Sequence, residues 1–344
     1  MLTEKRFIDI ASHFASKKLA VIGDFFLDRY LYFDEKQKEI SAETGLTANQ
    51  VVKIIHSPGA AGNIVSNLKA LGAGTVIAIG YTGDDGEGYE LRQDIKALGC
   101  PDTYLLSFPG RHTCFYAKPQ NINIKGLAGE KERYDIKNRT PFSSAEEQRL
   151  INALNAVIGQ VDGVIAADQS EVDEEGCGAI TPRVRNELIN LAAKYPEKLF
   201  WVDSRLRGDK FENMILKPNA KEAVACALGK ATINEANINK AGKALAEKTR
   251  KPVFVTLSEK GIRIFDKTGV TDVPAAFVEG ETDPTGAGDS VTAAAVLSLV
   301  SGATLAEAAR TGCLAASITV KQLGRTGTAT QEDIVNKIAT SLLL

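Results

Sequence analysis

The residues best suited to chemistry are Asp283-Pro284-Thr285-Gly286-Ala287-Gly288-Asp289, a turn with two glycines and a closing carboxylate set directly before the apolar run Ser290 to Ala306. That run reads as one buried helix beginning at the turn. A helix start carries unpaired N–H groups and a partial positive charge, so the amides of Gly286, Ala287 and Gly288 are suited to hold an anion. Small side chains let the anion come close. Asp289 then falls in the first helical turn, beside whatever rests on those amides. An anion hole next to a carboxylate suits phosphoryl transfer to an alcohol, in which charge spreads over the transferring oxygens and the hydroxyl needs a positioned acceptor for its proton. A helix start favours the ionised acid, so Asp289 is expected to be a weak base that stays deprotonated. The plainer reading is an N-terminal cap followed by a helix-favouring acid, and these seven residues alone do not separate the two.

The elements that must position the turn follow a regular rhythm. Leu19 to Gly23, Thr75 to Gly80, Val164 to Asp168, Leu199 to Asp203 and Val253 to Leu257 read as strands, and amphipathic segments such as Ile64, Val65, Leu68, Leu71 lie between them. Near-continuous apolar strands separated by helices predict an α/β fold with a parallel sheet covered on both faces. Two polar, alternating stretches, 30–57 and 103–135, break the rhythm and are expected to form a small β lid inserted in a single domain spanning 1–344. A lid that excludes water serves phosphoryl transfer, which otherwise competes with hydrolysis. Ligands of open α/β sheets bind beyond the carboxyl ends of the strands. Asp24, Asp28, Gly80 to Gly88, Asp168, Asp203, Lys217 to Glu222 and Leu257 to Gly261 all fall at that rim.

Net charge is −2 over 344 residues with no basic block, which argues against a nucleic-acid or membrane surface and for a small-molecule partner. Cys100, Cys114, Cys177, Cys226 and Cys313 are odd in number and lack C-x-x-C spacing, so reduced thiols in a cytoplasmic protein are expected. Met1 to Lys18 has charges of both signs and no apolar core, so no secretory leader is expected there. The serines, threonines and Gly302 of the run after Asp289 leave it short of a membrane span.

Several ordered motifs carry a resemblance to the ribokinase-like, pfkB carbohydrate kinases over nearly the full length. Asp283 to Asp289 is similar to that family's C-terminal signature, and Pro58-Gly59-Ala60-Ala61-Gly62-Asn63 to its N-terminal one. The resemblance implies Asp289 as catalytic base and the 286–288 amides as anion hole. It further implies sugar contacts from Asp28, Gly59 and Asn63. Asn219 and Glu222 match N-x-x-E, which implies a magnesium ion organised through water by Glu222, and Thr256, Ser258, Glu259 and Gly261 resemble the segment lining ATP. Backbone near Asp283 and Thr285 holds a monovalent cation, such as K+, in some members. Val21 to Tyr30 and Ile40-Ser41-Ala42-Glu43 look like the opening motifs of heptose 7-phosphate kinases. Departures fall on the substrate side: Ala60 replaces the second glycine of a pair, no prolines follow Glu43, and Asp168-Gln169-Ser170-Glu171 differs from D-Y-x-K-G. No segment resembles the nucleotidylyltransferase domain often fused to those kinases.

The resemblance implies ATP- and magnesium-dependent phosphorylation of a sugar or sugar phosphate, with a homodimer through the lid. Two other readings remain. A sugar sensor or scaffold of the same fold would lack turnover, although Asp289, Gly286 and Gly288 are intact. A nucleoside or vitamin kinase would need flat apolar walls, for which Phe25, Phe26, Phe115 and Tyr116 are candidates. Arg111, Lys118, Lys125, Arg133, Arg205 and Arg207 are candidate cations for a phosphorylated acceptor. His13, His56 and His112 show no catalytic pattern, and Trp201 reads as core.

Overall fold

A computed structural model describes residues 2–341. Strand Lys18–Gly23 shows why the chain folds as a covered sheet: Leu19 and Val21 point into one apolar core while Ala20 and Ile22 point into another on the opposite face. Alternate side chains of a strand face opposite ways, so a sheet with two cores needs apolar residues at every position. Nine strands line up in the order Gly269–Val273, Ile262–Asp266, Val253–Thr256, Ile215–Leu216, Leu199–Ser204, Gly163–Asp168, Lys18–Gly23, Thr75–Thr82, Leu105–Ser107. The last seven in that order are mutually parallel, and the Val253–Thr256, Ile262–Asp266, Gly269–Val273 meander adds an antiparallel edge. Trp201 is fully buried against Phe254, with ring centroids 5.0 Å apart.

The apolar run after Asp289 forms two helices rather than one, Ala287–Val300 and Leu305–Thr319. Gly302 at φ +90° turns the chain, and Thr304 restarts it with a capping box to Glu307. The first helix is buried from Ser290 to Ser298, wedged between sheet and second helix, which explains its apolar composition without membrane contact. Among the described residues no helix is long and apolar enough to cross a membrane.

A four-stranded lid stands over the carboxyl ends of the sheet, in the order Val51–Ala60, Phe25–Phe33, Phe115–Asn121, Tyr134–Ile136. It begins earlier and ends later than expected in its first part, while Leu105–Ser107 belongs to the main sheet, so its second part starts only at Phe115. The lid is tied to helix Gly86–Ala97 by Arg29, paired with Glu87 and Glu90, and by His56 against Asp94 at 2.7 Å. These contacts fix its height above the cleft.

At the junction of lid and domain, Ala60 adopts φ +51°, ψ −120°, a region that suits glycine and strains an L-residue. It turns the chain from lid strand Val51–Ala60 directly into helix Ala61–Ala70. Ala60→Gly is expected to raise stability by about 1 kcal/mol, since relief of roughly 1–3 kcal/mol of strain exceeds glycine's entropy cost. Thermal unfolding should register a rise of about 1–2 °C, and a fall would show that the position carries no strain.

Candidate active site

Helix Ala287–Val300 starts at Gly286, held at φ +76°, and a side chain there would run into Asn63 Nδ2. Glycine is therefore required twice over, by backbone conformation and by the close approach of Asn63. The amides are not all free. Ala287 N–H closes a turn onto the Pro284 carbonyl at 3.1 Å, which removes it from the expected trio. Among the described residues the N–H groups of Gly286, Gly288 and Asp289 have no partner, so the expected trio keeps Gly286 and Gly288 and exchanges Ala287 for Asp289. Asp283 shapes the turn: its carboxylate accepts N–H bonds from Thr285 at 3.0 Å and Gly324 at 3.1 Å. Each oxygen thus carries one N–H bond of the turn.

Asp289 lies in the first turn of that helix, partly buried on the cleft floor, where Asn63 Nδ2 donates to its Oδ2 at 2.8 Å. Asn63, expected to meet the sugar, is brought against Asp289 by that bond, and its Oδ1 accepts from Asn67 at 3.2 Å. The expectation of a weak, always ionised base is also corrected. Burial, reinforced by the negative charge of Asp203, pushes the Asp289 carboxyl up to about 7, against the opposing pull of Asn63, Arg205 and Lys217. A base poised near neutrality is better matched to taking a proton from an alcohol.

Behind the base stands a group given no role at the sequence level. Lys217 follows strand Ile215–Leu216 and is 3% exposed; its Nζ pairs with Asp203 Oδ2 at 3.0 Å and lies 3.4 Å from where a Gly288 side chain would begin. Thr292, three residues along the helix from Asp289, donates to the same Asp203 oxygen at 2.9 Å. A buried ammonium beside the Gly288 amide adds positive charge where an anion would rest. The available signal was a lysine immediately after an apolar strand.

Asn219 and Glu222 form a capping box at the start of helix Ala220–Leu228: Asn219 Oδ1 accepts from Glu222 N–H at 2.9 Å and Glu222 Oε2 from Asn219 N–H at 2.8 Å. Glu222 Oε1 remains directed at the cleft, 3.5 Å from Arg205. Among the described residues there is no cluster of three metal-binding side chains. Thr256 lies beside Asn219 in an isolated bridge, and Leu257–Gly261 folds into a tight turn in which Ser258 has φ +54° and Gly261 φ +97°. Ser258 and Glu259 are exposed at that edge.

Across the cleft, the lid contributes Asp28, 4% exposed, with its carboxyl carbon 3.1 Å from where a Gly59 side chain would begin. Its Oδ1 pairs with Lys118 Nζ at 3.2 Å, and Lys118 also donates to Tyr30 Oη at 3.3 Å. Burial raises the Asp28 pKa and Lys118 opposes that rise. The other candidate cations divide clearly. Arg111 stacks on Phe142 at 3.8 Å and donates to the Thr140 and Cys177 carbonyls; Arg207 donates to the Ser170 and Val172 carbonyls. Both serve structure, as does Asp24, whose carboxylate takes the N–H groups of Gln169, Ser170 and Ala179. Arg133 pairs with Asp135 over the Tyr116 ring, and Lys125 is exposed on the lid turn. Of the aromatic candidates, Phe25 is core, and Phe26 packs edge-on to Tyr116 at 5.3 Å.

The fold places the molecule in a class. It superposes on phosphofructokinase-2 from Escherichia coli in complex with potassium at TM-score 0.70, with 17% identity over 95% of this chain and 99% of that one. Arabidopsis thaliana ribokinase complexed with ribose and ATP gives TM-score 0.67 and 18% identity over 94% and 98%. The architecture is therefore ribokinase-like, as expected. Residues 193–332 match the pfkB family carbohydrate kinase pattern. It is 32% identical over 326 residues to the bifunctional protein HldE of Wolinella succinogenes and 30% identical over 328 residues to that of Helicobacter hepaticus, covering 94% of this chain in both. The chain spans 65% and 64% of the length of these two relatives.

The charge state of Asp289 has a measurable consequence. With its pKa raised from 3.8 to about 7, the folded protein keeps a proton between those pH values that the unfolded chain has released, so stability falls as pH rises through the window. Asp289→Asn removes that penalty. The variant should melt above the parent at pH 8, with the gain shrinking to nothing near pH 4; an equal difference at both pH values would contradict the raised pKa.

Proposed function

We propose that the protein transfers the γ-phosphoryl group of ATP to a hydroxyl of a sugar or sugar phosphate. The observation that carries this reading is the start of helix Ala287–Val300, where free amides, the Lys217 ammonium and the Asp289 carboxylate converge on one spot. Asp289 accepts the proton of the acceptor hydroxyl as the new oxygen–phosphorus bond forms and the bond to the departing ADP breaks. The amides of Gly286 and Gly288 and the Lys217 ammonium bind the transferring oxygens. Magnesium, held through water by Glu222, supplies neutralisation of phosphate charge. Nucleotide contacts come from Asn219, Thr256, Ser258, Glu259 and Gly261, and the acceptor lies under the lid against Asp28 and Gly59. A monovalent cation beside Asp283 and Thr285 belongs to the same reading, which the potassium complex of the structural relative supports. The motifs at 21–30 and 40–43, with the similarity to HldE, favour a heptose phosphate among sugar acceptors.

A nucleotide-consumption assay across free and phosphorylated hexoses, heptoses and pentoses, with nucleosides for contrast, tests the reaction. One sugar class should be turned over, faster with potassium than without, with kcat/KM rising as pH passes through about 7. Asp289→Asn should lower kcat by at least about 10³-fold with KM values little changed. Comparable activity in that variant, or no turnover of any acceptor, would defeat the reading and favour a binding protein.

We also propose a homodimer through the lid in a cytoplasmic protein. Strand Val51–Ala60 is an edge strand of the lid sheet and exposes Val51, Val52, Ile54 and Ile55, next to Ile40 and Leu46 on the neighbouring hairpin. An exposed apolar edge of this kind is either covered or prone to aggregation. The five cysteines are all unpaired, in keeping with a reducing compartment. Light scattering should give twice the chain mass, and Val52→Glu/Ile54→Lys should give the monomer; a monomeric parent protein would refute the dimer.

A further inference from the structure

Arg205 is a half-exposed cation whose one ion pair, to Glu222, is long at 3.5 Å. It follows strand Leu199–Ser204, and its backbone is pinned, with its N–H on the Asp168 carbonyl at 3.0 Å and Ser204 Oγ on Asp168 Oδ2 at 2.7 Å. Its side chain, by contrast, is 48% exposed, and among the described residues its one hydrogen-bonding partner is Glu222 Oε1 at the long distance of 3.5 Å. Burial works against its charge, but the carboxylates of Asp203, Glu222, Asp289 and Glu171 together raise its pKa and keep it ionised. A guanidinium presents five donors in a rigid fork that matches phosphoryl oxygens. Here that fork is rooted in pinned backbone, holds Glu222 only at 3.5 Å, and lies within electrostatic range of Asp289.

We propose, on the phosphotransferase reading above, that Arg205 is the charge-stabilising residue for the transferring phosphoryl group. Its guanidinium leaves Glu222 and lies on the phosphoryl oxygens while Asp289 takes the hydroxyl proton, the acceptor oxygen–phosphorus bond forms, and ADP departs with the electron pair of the bond that breaks. Position decides between this role and recognition of a phosphate already on the acceptor. Arg205 neighbours Glu222 and Asp289, where the nucleotide end meets the acceptor hydroxyl. The cations near Asp28 stand on the lid: Lys118 is paired with Asp28, Arg133 with Asp135, and Lys137 with Glu171 at 2.8 Å. Lys217 is buried and held in place by Asp203, so its charge is fixed, and Arg205 supplies the mobile positive charge.

The test compares Arg205→Ala, Arg205→Gln and Arg205→Lys with the parent protein, using ATP, magnesium and the acceptor found in the screen. Turnover of the alanine variant should fall about 10²–10³-fold, with both KM values within about threefold. Millimolar guanidinium chloride should restore part of that turnover but none of that lost in Asp289→Asn. The acid limb of kcat/KM should move to higher pH in Arg205→Gln, because the base loses a cation that favours its ionised form. A raised KM for a phosphorylated acceptor at unchanged kcat would overturn the assignment in favour of acceptor recognition, and near-parental turnover would overturn it outright. A binding measurement separates failure of this inference from failure of the kinase reading. ADP, magnesium and aluminium fluoride should raise the melting temperature of the parent beyond ADP and magnesium alone, and Arg205→Ala should lose only that extra rise. Equal protection in both proteins refutes the role of Arg205 even if no acceptor has been found.

Discussion

The cleft depends on one hydrogen bond, 2.8 Å from Asn63 to Asp289, which joins residues 226 positions apart. Its geometry constrains much of what surrounds it. Asn63 is held by Asn67, which donates to both its main-chain and side-chain oxygens and to the Gly327 carbonyl. Its amide occupies the space that a side chain at Gly286 would need. The helix bearing Asn63 begins at the strained turn of Ala60, and the lid strand before that turn carries Gly59, whose missing side chain admits the Asp28 carboxylate. Lid, acceptor side and base are therefore one mechanical unit. A shift in the lid strand reaches the carboxylate through a single helix.

Electrostatics explains why such tight positioning is needed. Asp289, Asp203, Glu222 and Glu171 all bear on the same opening, and the repulsion between Asp203 and Asp289 adds to burial in raising the pKa of the base. A triphosphate entering this region meets negative charge. The offsetting groups are the helix-start amides, Lys217 behind Gly288, and Arg205 at the mouth. Two of these are fixed, and fixed dipoles and charges stabilise a developing charge without reorganising at the moment of reaction.

Much of this architecture is legible in the residue pattern. Strand Lys18–Gly23 announces two buried faces because it is apolar at consecutive positions, and Gly286 announces a turn because no other residue suits its backbone. What escaped the pattern is of a different kind. The Ala287 amide is taken by Pro284, Asn63 donates to Asp289, and Lys217 stands behind Gly288. Each depends on where a side chain or amide points after distant segments have packed. The apolar run after Asp289 misled for a simpler reason. Buried helices joined by a short turn share one composition, and Gly302 with the Thr304–Glu307 capping box was the only punctuation. The raised pKa of Asp289 likewise follows from burial and Asp203, which outweigh the helix start that favours ionisation.

Asn219 and Glu222 show why structural and chemical explanations of one motif need not compete. The capping box consumes Asn219 Oδ1 and Glu222 Oε2, and it would be satisfied equally by glutamine at position 222, since only a carbonyl-type oxygen is required to accept the Asn219 N–H. What glutamine lacks is the second oxygen. Its amide nitrogen would face Arg205, donor against donor, and could not order water around a divalent cation. Helix stability accounts for an acceptor at this position, and the negative charge suits both the helix start and the Arg205 guanidinium. The same division applies to Asp283, whose two oxygens hold the turn through Thr285 and Gly324, so that its structural duty is complete before any ligand arrives. Glu222 keeps one oxygen unspent on the fold, and that oxygen lies within reach of Arg205.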